Sequence, residues 1–418
     1  MLKRTRSFLV LVMLLMTVTM SAQVTTATMS GKVTAQDEPI IGATIVAIHE
    51  PSGTRYGTVT NVSGQFNLQG MRTGGPYKVE ISYVGYQTAI YKGINLLLGE
   101  NYVLNVSLKE SSELLDEVVV TASKESNMKS DRAGAIMNAN RDMISNTPTI
   151  SRSISDIMRL SPQGADVGNG FAVGGGNYRQ SFVTVDGAAF NNTFGLGGNL
   201  PANGSPISLD ALEQVTVAVT PFDVRQSGFT GGAINAVTRS GDNQFRGTAY
   251  MYFNNENLKG SKVDDYELLR SKAQYYTYGA SFGGPIIKDK LFFFVNGEYE
   301  DNVTAGSNYR PRTALGESYS GGNIHRPLQS DMDDMRGFLL NKYNFDPGKY
   351  NDYSTDTPAY RVMARVDWNA NQNNKVSFRF TKTHTKDSNF PTSSVSPLST
   401  SALYPGGTST EVIDGKPV

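Results

Sequence analysis

The sequence predicts a mainly β chain: an N-terminal β-sandwich, a small α/β domain, then the first strands of a transmembrane antiparallel β-barrel that remains incomplete within these residues. Three observations predict it. Gly, Tyr and Phe are abundant at 42, 21 and 19 of 418 residues, against one Trp and 18% charged residues, which is what many short strands and turns produce. Runs of alternating apolar and polar residues recur between turn residues from residue 25 onward. The mean hydropathy of −0.31 excludes a helical membrane bundle but not a barrel, whose strands alternate so that the average cancels.

Composition also excludes function classes. The 38 Lys+Arg balance 38 Asp+Glu, so no electrostatic case exists for a nucleic-acid partner. With no cysteine, a disulfide scaffold, a Cys-based metal site and a thiol nucleophile are all ruled out. His49, His325 and His384 are isolated in sequence, which reads as surface or loop positions rather than metal ligands. Neither a catalytic residue nor a cofactor is expected.

Residues 1–22 form an address. Lys3, Arg4 and Arg6 precede the apolar run from Phe8 to Met20, and small residues Ser21 and Ala22 follow, the order of a secretory signal peptide cut after Ala22. The run is shorter than the roughly 20 residues that a membrane-spanning helix needs.

Residues 23–110 read as the sandwich. Tyr77, Val79, Ile81 and Tyr83 point one way along one strand, as do Tyr102, Leu104, Val106 and Leu108 along the last. Gly31, Pro39, Gly42, Gly53, Gly64 and Gly85 are assigned to turns. The stretches Ser30-Gly31-Lys32-Val33, Gly42-Ala43-Thr44-Ile45, Thr60 to Phe66 and Ser82-Tyr83-Val84-Gly85-Tyr86 resemble the carboxypeptidase-regulatory-like domain. That resemblance is to a regulatory sandwich and implies no peptidase. The family often has Asp where Asn61 stands, which weakens any cation site in that loop.

Residues 111–130 read as a linker that contains one β-branched run, Asp116-Glu117-Val118-Val119-Val120-Thr121-Ala122, between polar flanks. From the run alone two readings stand level: a last strand of the sandwich, or a strand offered to the sheet edge of another protein. Its position decides between them, because it resembles the TonB box of TonB-dependent outer-membrane receptors, which follows such a sandwich and precedes a plug domain. The resemblance implies that Asp116 to Ala122 bind the periplasmic domain of TonB.

Residues 131–241 resemble the plug. Ser153 to Pro162 reads as a short helix stopped by its proline. The Gly-rich stretch from Gly164 to Gly176 fails as a phosphate loop and reads as a surface loop. Phe182 to Gly187 and Leu209 to Val217 read as strands, and Gly231 to Gly241 resembles the strand leading into the barrel. Val219-Thr220-Pro221-Phe222-Asp223-Val224-Arg225 departs from the siderophore-receptor pattern towards the Oar-like branch.

Residues 242–418 carry about five barrel strands. Phe245, Met251 and Phe253 share one face; Tyr276, Tyr278 and Phe282, then Leu291, Phe293, Val295 and Tyr299, then Tyr360, Val362, Ala364, Val366 and Trp368, then Val376, Phe378 and Phe380 repeat the pattern. Arg361, Arg365, Asp367 and Arg379 fall on the opposite face. Connections 284–290 and 369–374 are short, whereas 255–274, 301–358 and 386–418 are long and polar, as periplasmic turns and extracellular loops alternate. Asp331, Asp333 and Asp334 read as a solvated acidic loop rather than a calcium site. Five strands cannot close, so the expectation is the front part of a longer receptor or a truncated product.

The sequence is therefore read as a TonB-dependent receptor or transporter of the Oar-like type, set in outer-membrane lipid and taking up an unidentified extracellular ligand. The alternatives are an outer-membrane adhesion or assembly protein of the same architecture, and a secreted binding sandwich.

Overall fold

The computed structural model describes residues 25–110, 118–121, 136–149, 152–167, 170–191, 200–201, 204–219, 231–258, 260, 262–263, 266–267, 272–305, 310–317, 324–350, 353–371, 374–386, 412–413 and 416–417. The proposed signal peptide, Asp116, Glu117, Ala122 and most of Val219 to Arg225 lie outside them. The fold is mainly β, and the chain divides into two compact units, one of residues 1–249, 279–298 and 360–384, the other of residues 250–278, 299–359 and 385–418.

In the first unit, the sandwich pairs two sheets. One holds β1 (Ala27–Ala35), β2 (Glu38–Pro39) and β5 (Gln65–Met71), with β8 (Asn101–Val103) and β9 (Val106–Ser107) running parallel to β1. The other holds β3 (Thr44–His49), β4 (Thr54–Val59), β6 (Gly74–Ser82) and β7 (Ala89–Leu96) as an antiparallel sheet of order β7-β6-β3-β4. Alternation decides which face packs: Tyr77, Val79 and Ile81 are fully buried, and so are Ile45 and Ala47 opposite them. Tyr83 is exposed because β6 ends at Ser82. Leu104, Val106 and Leu108 close the same core from the other sheet.

Three expectations in this domain are corrected, the first at Pro39, which lies in β2 paired with Thr34 and is not in a turn. Gly31 is not in a turn but inside β1, where the returning chain passes so closely that a Cβ would stand 1.8 Å from the Leu104 carbonyl oxygen. His49 is buried rather than at the surface, its Nδ1 2.7 Å from Ser52 Oγ and its ring 5.0 Å from that of Tyr77. Asn61 behaves as a turn-former, its Oδ1 accepting from Ser63 N and Gln65 N at 2.9 Å each.

The α/β domain follows with β11 (Ile136–Asn140), helices α1 (Arg141–Asn146) and α2 (Ile154–Met158), the hairpin β12 (Gly164–Asp166) and β13 (Phe171–Val173), then β14 (Phe182–Val185), β15 (Ala188–Ala189), β16 (Leu212–Ala218) and β17 (Ala233–Thr238). Its sheet has the order β11-β16-β17-β14-β15, with β14 parallel to β17. Asn140 caps α1 by accepting from Met143 N, and Ser153 with Asp156 forms a capping box on α2. The Gly-rich stretch, read as a surface loop, instead supplies this hairpin, whose Phe171 and Val173 enter the core. Gly164 makes room for the Phe171 ring, whose Cζ would lie 2.2 Å from a Cβ there.

Among the described residues, five long strands contribute to both units: β18 (Arg246–Asn255), β21 (Gln274–Ile287), β22 (Leu291–Ala305), β26 (Ala359–Asn369) and β27 (Lys375–Thr385). Their order follows the sequence, β18-β21-β22-β26-β27, so each strand lies beside its chain neighbour. The second unit adds β19 (Lys262–Val263) paired with β20 (Tyr266–Glu267), β23 (Arg310–Arg312) with β24 (Ile324–Leu328), and β25 (Ser354–Asp356) on β22. Where a long polar loop was expected, residues Gln329–Tyr343 form helix α3, ended by Asn344 in the left-handed conformation. It places Asp331, Asp333 and Asp334 on a helix, where Tyr350 Oη donates to Asp333 Oδ1 at 2.6 Å.

Candidate functional site

The segment Val118–Thr121 forms an extended strand, β10, as its β-branched residues dictate. It is not unpaired. It runs parallel to β7 at the edge of the sandwich sheet, with Val118 opposite Ala89, Val119 opposite Ile90, Val120 opposite Tyr91 and Thr121 opposite Lys92. Of the two readings the run allowed, this pairing is the first, a last strand of the sandwich, and no strand of another protein enters it. Nothing in the local sequence announces that pairing, because β7 lies about 30 residues upstream and its edge carries no turn signal linking the two.

A second set of buried polar side chains lies where the α/β domain meets the strands of its own unit. β22 and β26 turn Phe292, Phe294, Asn296 and Glu298, then Ala359, Arg361, Met363 and Arg365, to the protein interior. Their alternate neighbours stay exposed, among them Val295, Val362 and Trp368, with Phe378 on β27 at 66%. The assignment of faces from the sequence therefore holds, including Arg361, Arg365, Asp367 and Arg379 on the inward side.

Several of these inward charges also meet groups of the α/β domain. Arg361, 2% exposed, donates from Nη1 to Glu298 Oε1 at 2.9 Å and from Nε to the Ser205 carbonyl. Ser208 Oγ donates to Glu298 Oε2 at 2.8 Å, so the pair is also tied to the loop before β16. Arg365 Nη1 donates to the Thr238 carbonyl at 2.5 Å, at the end of β17. Asp186, after β14, accepts from Thr238 N and Oγ1 and lies 3.5 Å from Arg379 Nε. Glu298 escaped the sequence reading, although the same two-residue period puts it on the inward face of β22.

Asp367 is the junction of three elements. It accepts from Arg365 Nε at 2.8 Å and Nη2 at 3.1 Å, from Ser240 Oγ at 2.5 Å after β17, and from Ser377 Oγ at 2.6 Å on β27. Arg72 of the sandwich approaches it to 3.4 Å. A cavity of about 480 Å³ opens beside this junction, lined by Arg72, Tyr56, Glu213, Asp367 and Arg379 among others, with cations outnumbering carboxylates. Lys375 stands over the Tyr56 ring at 3.1 Å from its centroid.

The sandwich holds both neighbours. Asn243 N donates to the Pro51 carbonyl at 2.9 Å while its side chain exchanges hydrogen bonds with Asp289 at 2.8 and 2.9 Å, in the turn between β21 and β22. Asn369 Nδ2 reaches Thr54 Oγ1 at 3.0 Å. On the α/β side, Leu98 N donates to Gln214 Oε1 and Asn138 Nδ2 to Glu100 Oε1. Behind this contact, burial, with the Arg72 charge adding to it, pushes the His49 imidazole from 6.5 down to about 3, so it is neutral at physiological pH. These are bracing interactions; they position domains.

Comparison with known proteins agrees with this architecture. Residues 28–109 match the family described as carboxypeptidase regulatory-like domain, and residues 237–412 match the family described as outer membrane beta barrel domain. The chain is 27% identical over 256 residues to the TonB-dependent transporter Oar of Myxococcus xanthus, covering 60% of this chain and 22% of that protein. It is 29% identical over 269 residues to the TonB-dependent receptor SusC of Bacteroides thetaiotaomicron, covering 61% of this chain and 24% of that protein. The chain thus spans under a quarter of the length of these curated relatives. Among solved structures, the siderophore receptor PirA from Acinetobacter baumannii aligns at a TM-score of 0.40 and 16% identity, over 60% of this chain and 31% of that one. The chain therefore carries a carboxypeptidase regulatory-like domain followed by an outer-membrane β-barrel domain, and over about 60% of its length it is homologous to the TonB-dependent transporter Oar and the TonB-dependent receptor SusC.

Proposed function

We propose that this chain forms the sandwich, plug and first barrel strands of a TonB-dependent outer-membrane receptor that takes up an extracellular ligand. Residues 1–22 direct export, the sandwich and the segment Asp116 to Ala122 face the periplasm, and β18, β21, β22, β26 and β27 lie in the outer membrane. The observation that carries the reading is the α/β domain seated on the inward charges of these strands through Glu298, Arg361 and Ser208, with an extendable β-branched strand in the chain just before it.

In this mechanism ligand binding above the plug releases the segment Asp116 to Ala122, which adds as a strand to TonB. Main-chain hydrogen bonds supply the grip, and force along the strand passes into residue 136, the start of the plug sheet. The energy comes from the inner membrane, so the chain needs neither nucleotide nor catalytic residue. Hydrogen bonds and the Asp186–Arg379 ion pair between plug and wall, rather than a packed apolar seam alone, suit a contact that must separate under load.

The test replaces Val119 by proline, which removes a backbone donor and bends the extended segment. The protein should lose binding to the periplasmic domain of TonB while still being exported and keeping a folded sandwich. Undiminished TonB binding in Val119→Pro would reject the assignment of the segment, and retention of an uncleaved chain in the cytoplasm would reject the outer-membrane reading.

A further inference from the structure

The pairing of β10 with β7 is not required by the sandwich. The sheet β7-β6-β3-β4 is antiparallel throughout and buries Tyr77, Val79, Ile81 and Ile94. β10 joins it as an edge strand of four residues, in the parallel orientation, which is slightly less stable per residue. The sandwich holds the chain as far as Glu110, through Gln87 N to the Lys109 carbonyl and the Tyr86–Glu110 bridge; from there to β10 the sequence is polar except for Leu114 and Leu115, and after it Ser123, Lys124, Glu125 and Ser126 are polar. A short parallel strand on polar tethers is one that leaves the sheet without unmaking it.

We propose that edge strand β7 is a holding site for residues Val118 to Thr121, so that the sandwich and TonB compete for the same backbone groups. This rests on the reading of that segment as the TonB-binding strand. A strand has two hydrogen-bonding edges, and β7 occupies one of them. If TonB needs that edge, its apparent affinity falls by the fraction of chains in which β10 is released, and the sandwich sets the threshold for coupling. Any event that loosens the sandwich edge then raises TonB capture.

The sequence has no cysteine, so a paired-cysteine lock gives a clean test. Lys92 is exposed and stands opposite Thr121, and neighbouring strands about 4.8 Å apart bring Cα atoms within disulfide range. The full chain carrying Lys92→Cys and Thr121→Cys should therefore oxidise readily. Lys92→Cys with Val118→Cys, three rows out of register and roughly 10 Å apart, should not.

Oxidised Lys92→Cys/Thr121→Cys protein should bind the periplasmic domain of TonB at least about 10-fold more weakly than the same protein after reduction. Equal binding in both states would overturn the competition and show that TonB adds to the outer edge of β10. Equal oxidation of both cysteine pairs would overturn the pairing itself. Absent binding in the reduced protein, with the in-register disulfide formed, would overturn the TonB-binding assignment and the competition while leaving the strand on β7.

Discussion

Replacing Glu298 by Gln should loosen the α/β domain more than any surface substitution. Glu298 and Arg361 side chains are 3% and 2% exposed and meet at 2.9 Å. At an effective dielectric constant of about 20, that separation corresponds to an attraction of about 6 kcal/mol, against which stands the cost of desolvating both charges. Taking away one partner leaves the Arg361 charge buried without its carboxylate, at a cost of about 3 kcal/mol or more. The loss should read out as a urea midpoint for proteolysis of residues 136–241 lowered by about 1 to 3 M in detergent-solubilised protein. The double variant Glu298→Gln/Arg361→Met, with no orphaned charge, should recover more than half of the loss. A midpoint within about 0.3 M of the parent, or a double variant showing the simple sum of two losses, would refute the claim that this pair seats the domain.

The sandwich, residues 23–110, has a core drawn from its own residues, from Ala27 to Leu108, and can be tested alone. His49 is held at about 3 in the fold against 6.5 unfolded, so the unfolded chain takes up the proton first as pH falls; stability is complete above about 6.5 and is lost progressively towards 3. Between pH 7 and pH 5 the loss should be about 2 kcal/mol in denaturant titrations, and His49→Gln should remove that slope; an unchanged slope would contradict the assignment. Gly31→Ala drives a methyl group to 1.8 Å from the Leu104 carbonyl and should cost about 3 kcal/mol. Gly42→Ala, with nothing within 4 Å but a φ of +78°, should cost about 1 kcal/mol, and thermal melts that reverse this order would show the crossover chain to be free to move.

Much of this was legible in the sequence because the two-residue period reports which face is buried. It placed Val362 and Trp368 outside and Arg361 and Arg365 inside before any partner was known, and the five long strands fall where the alternation lies. What stayed hidden depends on residues far apart in the chain. Gly31 reads as a turn until Leu104 is seen crossing it, and the Gly-rich stretch reads as a loop until Phe171 and Val173 find a core. The polar connection carrying Asp331 hides α3 because that helix buries no residue, so it shows no apolar stripe. The β-branched run at Val118 announces an extended strand, but not that β7 is its neighbour.

The central claim is that residues 116–122 join a strand of TonB. Single cysteines placed along Asp116, Glu117, Val118, Val119, Val120, Thr121 and Ala122, in a chain that has none of its own, allow position-by-position crosslinking to the periplasmic domain of TonB. A strand pairing predicts strong and weak positions in alternation across the segment, fading by Ser126 and Asn127, with the whole pattern lost in Val119→Pro. A flat profile across 116–127, or an alternating one that survives the proline, would contradict the account.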